Sequence, residues 1–242
     1  MSAPAWAALL LVCVIDVAAV AAPFAVFDRA SGSLADIVLR YDEATGRGYD
    51  WTALTNPRLA GSSPEHRLRQ AVLFLQEGIA RLTERTPTVR SGLAEHDCIL
   101  VTLLRDAPPS VANDPQVAAS LKNSGADAYN DREAFYVRSE PQRLLIVGNS
   151  IDGLVAAMPA LLETVGYEVL GMGPNWIHVP REHRERLTFD VELAERPSFY
   201  LRQLTATSGQ SYGAGTLMAG PKLQLVDPAD ESAVAELARS LH

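Results

Sequence analysis

The clearest pattern in the chain is a stripe of apolar residues at Leu68, Ala71, Val72, Leu75, Ile79 and Leu82. These positions lie on one face of a helix. Ser63 is placed as its N-cap, with Pro64 at the first helical position and Glu65 in the electropositive first turn. Thr86-Pro87 ends it. Residues 98–104 (CILVTLL) form an unbroken apolar run, which predicts a strand buried on both faces. Residues 134–138 (AFYVR) and 143–147 (RLLIV) predict two short strands. Ser139-Glu140-Pro141-Gln142 is expected to be the hairpin loop between them. Gly148-Asn149-Ser150 then turns the chain into a second helix, striped by Leu154, Ala157, Met158, Leu161 and Val165 and closed by Gly166.

The rest of the chain gives weaker signals. Residues 22–62 read as irregular apart from one strand at 35–41, and residues 115–122 as a short helix. Candidate strands at 167–170 and 176–179 flank a turn-rich loop. A last strand is expected within 187–193, and the charges of residues 181–186 (REHRER) suit a solvated face. Residues 203–242 read as a loose tail, Gly/Ser/Thr-rich at first, with a terminal helix at 232–241. There is no internal repeat. The expected fold is α/β of the α+β two-layer kind, with a mixed sheet of about four to six strands and two main helices packed on one face.

Composition sets the outer limits. The 242 residues are 48% hydrophobic and 21% charged, which excludes disordered, collagen-like and coiled-coil chains. A net charge of −8 disfavours a general binder of nucleic-acid backbones. Residues 5–15 are apolar and Ala19-Val20-Ala21 offers an A-x-A cleavage site before Ala22. Residues 1–21 therefore read as a signal peptide, and the protein is expected to be exported to the periplasm or beyond. The run is shorter than the ~20 residues of a bilayer span, so no stable membrane span is expected. A buried helix or an anchor are the other readings, and Asp16 and the lack of a leading Lys or Arg depart from the signal pattern.

Candidate chemistry is sparse. With residues 1–21 removed, Cys98 stands alone inside an apolar strand and reads as a packed thiol. His66, His96, His178, His183 and His242 show no zinc-type spacing. The Gly148–Gly153 turn opens a helix as phosphate loops do. It fits neither template, because Ser150 stands where the dinucleotide fingerprint has Gly and Leu154-Val155 where the phosphate loop has Lys-Ser/Thr. The packing alternative is that Gly148 permits a tight turn, Ser150 caps, and Gly153 lets the helix approach the sheet. Trp51 and Trp176 are the residues able to stack on sugar rings, and both also suit a core or an interface. No residue is expected to be catalytic, cofactor-binding or metal-ligating.

The order of these elements resembles a known domain. Helix 65–85 and strand 98–104 are followed by Phe135-Tyr136-Val137, Leu145-Ile146-Val147-Gly148, Gly153, Ala156-Ala157 and Leu161-Leu162-Glu163. Gly166-Tyr167, Trp176 and Pro180 come next, and Arg196-Pro197-Ser198-Phe199-Tyr200-Leu201-Arg202 closes the series. The series is similar to the N-terminal domain of α-glucuronidases. It is also similar to the second domain of β-N-acetylhexosaminidases and to the domain preceding an uncharacterised barrel in many bacterial secreted proteins. The resemblance covers residues 65–202 and implies a glycoside hydrolase-associated accessory domain of carbohydrate metabolism. Its implied partner is a catalytic (β/α)₈ barrel, against which Trp176, Pro197, Phe199 and Arg202 would form the domain interface. Such a barrel needs about 250 residues, and 40 follow Arg202. The expectation is therefore a truncated or split product without catalytic residues of its own. The alternatives are a stand-alone carbohydrate-binding module, with a glycan as partner, and a small exported enzyme using the Gly148–Gly153 turn for a nucleotide.

Overall fold

The computed structural model describes residues 21–59, 61, 63–121, 131–169 and 177–196, together with the backbone of 204–205 and 211–212. The candidate signal peptide (except Ala21), Trp176, Pro197, Phe199, Arg202 and the terminal helix expected at 232–241 lie outside the described residues. In chain order the elements are β1 (Phe24–Asp28), β2 (Ser33–Leu34), β3 (Asp36–Asp42), β4 (Arg47–Gly48), α1 (Trp51–Leu54) and α2 (Pro64–Thr83). There follow β5 (Val89–Gly92), β6 (Cys98–Leu103), a 3₁₀ turn (Leu104–Asp106), α3 (Pro109–Ala112), α4 (Pro115–Leu121), β7 (Phe135–Glu140) and β8 (Arg143–Gly148). The remainder comprises α5 (Ile151–Glu163), β9 (Glu168–Val169), β10 (Ile177–His178), a 3₁₀ turn (Glu182–Arg184), β11 (Arg186–Phe189) and β12 (Glu192–Glu195). Leu204–Thr205 and Ser211–Tyr212 pair as two short antiparallel strands.

The main sheet runs β12-β7-β8-β6-β3, with β5 and the hairpin strand β4 both bonded to β3. Strands β8, β6, β3 and β5 are mutually parallel, and β7 and β12 add an antiparallel edge. This is the expected mixed α+β layer, with seven strands once the two-residue β4 is counted. The two main helices α2 and α5 pack together on one face. They cover Ile37, Leu39, Ile99, Val101, Leu103, Phe135, Val137, Leu144 and Ile146. Strand β6 is buried along its whole length, because the opposite face is covered too. There Val38, Leu100, Tyr136, Leu145 and Val147 meet Val111 of α3 and Val117 and Leu121 of α4.

Ser63 caps α2 by accepting from the His66 amide, Pro64 stands at the first helical position, and Glu84 closes the helix in the left-handed conformation. Three expectations need correction. The hairpin between β7 and β8 turns on Pro141-Gln142 alone, since Glu140 pairs with Arg143 and Ser139 bonds Val191 through amide and hydroxyl. The strand expected within 187–193 is two strands, β11 in a small sheet with β1 and β2, and β12 on the edge of the main sheet. The segment expected to be irregular around one strand contributes four strands and a short helix. Phe24, Val26 and Phe27 of β1 are buried in the main core, a partnership that local pattern does not reveal because β1 pairs with the distant β11.

Candidate functional site

In an open parallel sheet, ligands gather outside the carboxyl ends of the strands, where crossovers leave to opposite faces. Here that point lies between β3 and β6. The chain leaving β3 runs through α2 on one face, and the chain leaving β6 runs through α3 and α4 on the other. Three arginines from three segments meet there. Arg40 of β3 donates from Nε to the Asp106 carbonyl at 2.7 Å. Arg47 of β4 lies 3.6 Å from the Asp106 carboxylate and Arg105 lies 3.4 Å from it. Arg47 also donates to the Arg105 carbonyl. The Asp106 side chain is nearly buried, at 9% exposure, whereas Arg47 and Arg105 are 62% and 70% exposed. Tyr49 stands beside them. Burial raises its phenol above the ordinary value, and the charge of the nearby Arg105 guanidinium pulls the other way.

The carboxyl end of β8 carries the glycine-rich turn. Its side chains are committed to the protein. The Asn149 amide donates to Ala134, its side-chain amide donates to the Leu121 and Asp131 carbonyls, and the Ser150 hydroxyl donates to Arg132. Ser150 also caps α5 by accepting from the Asp152 amide. A Cβ on Gly153 would stand 2.5 Å from the Ala134 carbonyl oxygen, and one on Gly148 would stand 2.8 Å from the Ser150 carbonyl oxygen. Close backbone approach, the packing alternative of the sequence reading, thus accounts for both glycines. Asp152 of α5 is bridged by Arg67 at 2.5 Å and Arg132 at 3.0 Å, which ties α2 to the start of α5.

On the face beneath α3 and α4 lies a buried ionic chain. Arg138 is 1% exposed. Its guanidinium meets Asp114 at 2.7 Å, Glu140 at 2.6 Å, Gln116 at 2.9 Å and the Tyr136 hydroxyl at 3.3 Å. Glu140 also binds Arg143, and Glu95 lies between Arg143 and Arg40. Tyr136 donates to Glu192 of the edge strand. Burial, and then that carboxylate, push the Tyr136 phenol up. Asp114 accepts from the amides of Gln116 and Val117 at the start of α4. The chain therefore clamps α4 to the β7–β8 hairpin.

Cys98 lies buried in β6, its thiol pushed up to about 11 chiefly by desolvation. Thiolate is the reactive form, so iodoacetamide at pH 8 is expected to leave Cys98 unmodified in the native protein and to label it in denaturant. Peptide mass mapping reads the difference, and rapid native labelling would contradict the packed-thiol reading. Among the described residues, no group of three or more His, Cys, Asp or Glu is placed to hold a metal ion. His96 and His178 are exposed, His183 contacts the Val165 carbonyl, and His66 lies beside Gln70. Trp51 opens α1 and packs, partly buried, against the main core. No helix among the described residues is long and apolar enough to cross a membrane.

Sequence reasoning did not single out the arginines of either cluster. Arg138 had a legible signal, since alternation puts it on the same buried face as Tyr136. The three arginines around Asp106 had none, because they come from separate turns and strands. No protein-family model matches the chain, and a search of curated proteins finds no similar sequence.

Proposed function

We propose that the protein is a non-catalytic accessory domain of the glycoside hydrolase-associated kind, exported and working against a catalytic (β/α)₈ barrel. The observation that carries this reading is the order of the elements. Helix, buried strand, two-stranded hairpin, Gly turn and second helix follow one another as in the N-terminal domain of α-glucuronidases, and they assemble into one mixed sheet with both helices on one face. The nucleotide alternative draws less support, because the turn fits neither phosphate template and the space beside Gly153 is filled by the Ala134 carbonyl. For the carbohydrate-binding alternative, Trp51 packs against the core, and Trp176 lies outside the described residues.

The purified protein is expected to release no aryl alcohol from aryl glucuronides or aryl N-acetylhexosaminides. Added to a barrel of the α-glucuronidase class from which the N-terminal domain has been removed, it is expected to form a complex stable to gel filtration. Turnover by the protein alone that disappears on replacing a single Asp or Glu would overturn the proposal, as would failure to bind any such barrel.

A further inference from the structure

The arginines at the β3–β6 switch point have donors to spare. A guanidinium offers five N–H groups in a planar fork that matches carboxylate and phosphate oxygens. Arg47 and Arg105 share one carboxylate, Asp106, which is nearly buried beneath them. Both are mostly exposed, so the remaining edges of their guanidiniums face solvent. Arg40, 15% exposed, is held in place by the Asp106 carbonyl and Glu95. Three further carboxylates lie nearby. Asp42 accepts from Ala44 and Thr45 within its own hairpin, and Asp50 caps α1 and meets Ser91. Glu65 acts on Tyr49 from the first turn of α2. Two exposed guanidiniums anchored on one buried carboxylate present their free edges at a fixed place. The Asp106 anchor also lowers the entropy lost when the forks close on a ligand.

We propose that Arg47 and Arg105, held by Asp106 and flanked by Tyr49, form a binding site for a small oxyanion, either a carboxylate or a phosphate. The position is the one where open parallel sheets take their ligands, and the fork geometry suits bidentate recognition of either group. The site does not depend on the accessory-domain reading, since it needs neither a barrel nor a glycan chain.

The test follows the arginine Nε–H signals of the ¹⁵N-labelled protein during titration with inorganic phosphate, with D-glucuronate, and with uncharged methyl glucoside. Saturable shifts of Arg47 and Arg105 are expected with at least one of the two oxyanions, and none with methyl glucoside. Binding should weaken as sodium chloride is added. Arg47→Gln and Arg105→Gln should each weaken it about tenfold, the loss of one charge-assisted interaction. Each variant leaves Asp106 one guanidinium partner, so both should remain folded, which circular dichroism checks. Tighter binding of glucuronate assigns the site to carboxylates, and tighter binding of phosphate assigns it to phosphate. The proposal is overturned if neither oxyanion gives a saturable shift, if methyl glucoside binds as well as glucuronate, or if both folded variants bind unchanged.

Discussion

Arg138→Met should destabilise the protein by about 3–5 kcal/mol, the usual loss when one partner of a buried ion pair is removed. The cost arises on the partners left behind. Asp114 and Glu140, both largely buried, would lose their guanidinium, and the Tyr136 hydroxyl would lose a neighbour. Urea denaturation of the two proteins measures it. A loss below roughly 1 kcal/mol would mean that the pair behaves like a surface salt bridge. The network also predicts acid sensitivity. Burial alone would raise the Asp114 carboxyl, but hydrogen bonds from Arg138 and from the Gln116 and Val117 amides outweigh it and hold the group below its ordinary 3.8. A carboxyl lowered by folding contributes stability that is complete above the unfolded value and is lost as pH falls through the folded one. Stability should therefore begin to fall near the ordinary value of 3.8 and continue to fall below it. Asp114→Asn should flatten that part of the profile.

Gly153→Ala should cost more than Gly78→Ala, although both add one methyl group to a helix. At Gly153 the new Cβ meets the Ala134 carbonyl oxygen at 2.5 Å, and that backbone is anchored at the start of β7 by the Asn149 amide. At Gly78 it meets the tip of the Leu162 side chain, which can give more readily than backbone. The helix gains about 1 kcal/mol of propensity from either change. Overpacking of about 1–3 kcal/mol should outweigh that gain at Gly153 and roughly cancel it at Gly78. Gly153→Val should be worse than Gly153→Ala, since the larger side chain must force α5 off the sheet. Thermal melts of the three variants decide the order. A Gly153→Ala protein as stable as the parent would mean that α5 does not need its close approach to Ala134.

Elements whose stability is written locally were legible. The α2 stripe, its Ser63 cap and Pro64 are local facts, and the helix appears where they put it. The continuous apolar run of β6 was legible for a related reason, since burial on both faces removes alternation. The two-residue turn at Pro141-Gln142 was hidden because Ser139 and Glu140 are polar. What keeps them in a strand is Val191 and the two arginines, which are tertiary partners. The paired start of the domain was hidden in the same way, since Phe24 and Phe27 gain their place from β11. The clusters around Asp106 and Arg138 draw on residues from separate segments, and no spacing rule joins Arg40, Arg47 and Arg105. Trp176, Pro197, Phe199 and Arg202 were legible only through resemblance, and they fall outside the described residues.

The pairing of β1 with β11 has a consequence for how the chain acquires its shape. Arg29 donates to the Arg184 carbonyl across 155 intervening steps of sequence, and Phe24 aligns with Phe189 in the same small sheet. Ribosomes add about 5–20 residues each second, so strand β1 waits about 8–30 s for its partner to be synthesised. Through that interval β1 has only the two-residue β2 to pair with, although α2, β6 and the β7–β8 hairpin are already available to collapse together. Contacts of such long range are also the slow ones to close. The start of this domain is thus among the later parts to be secured during synthesis, and its phenylalanines stay open to chaperone capture until β11 arrives.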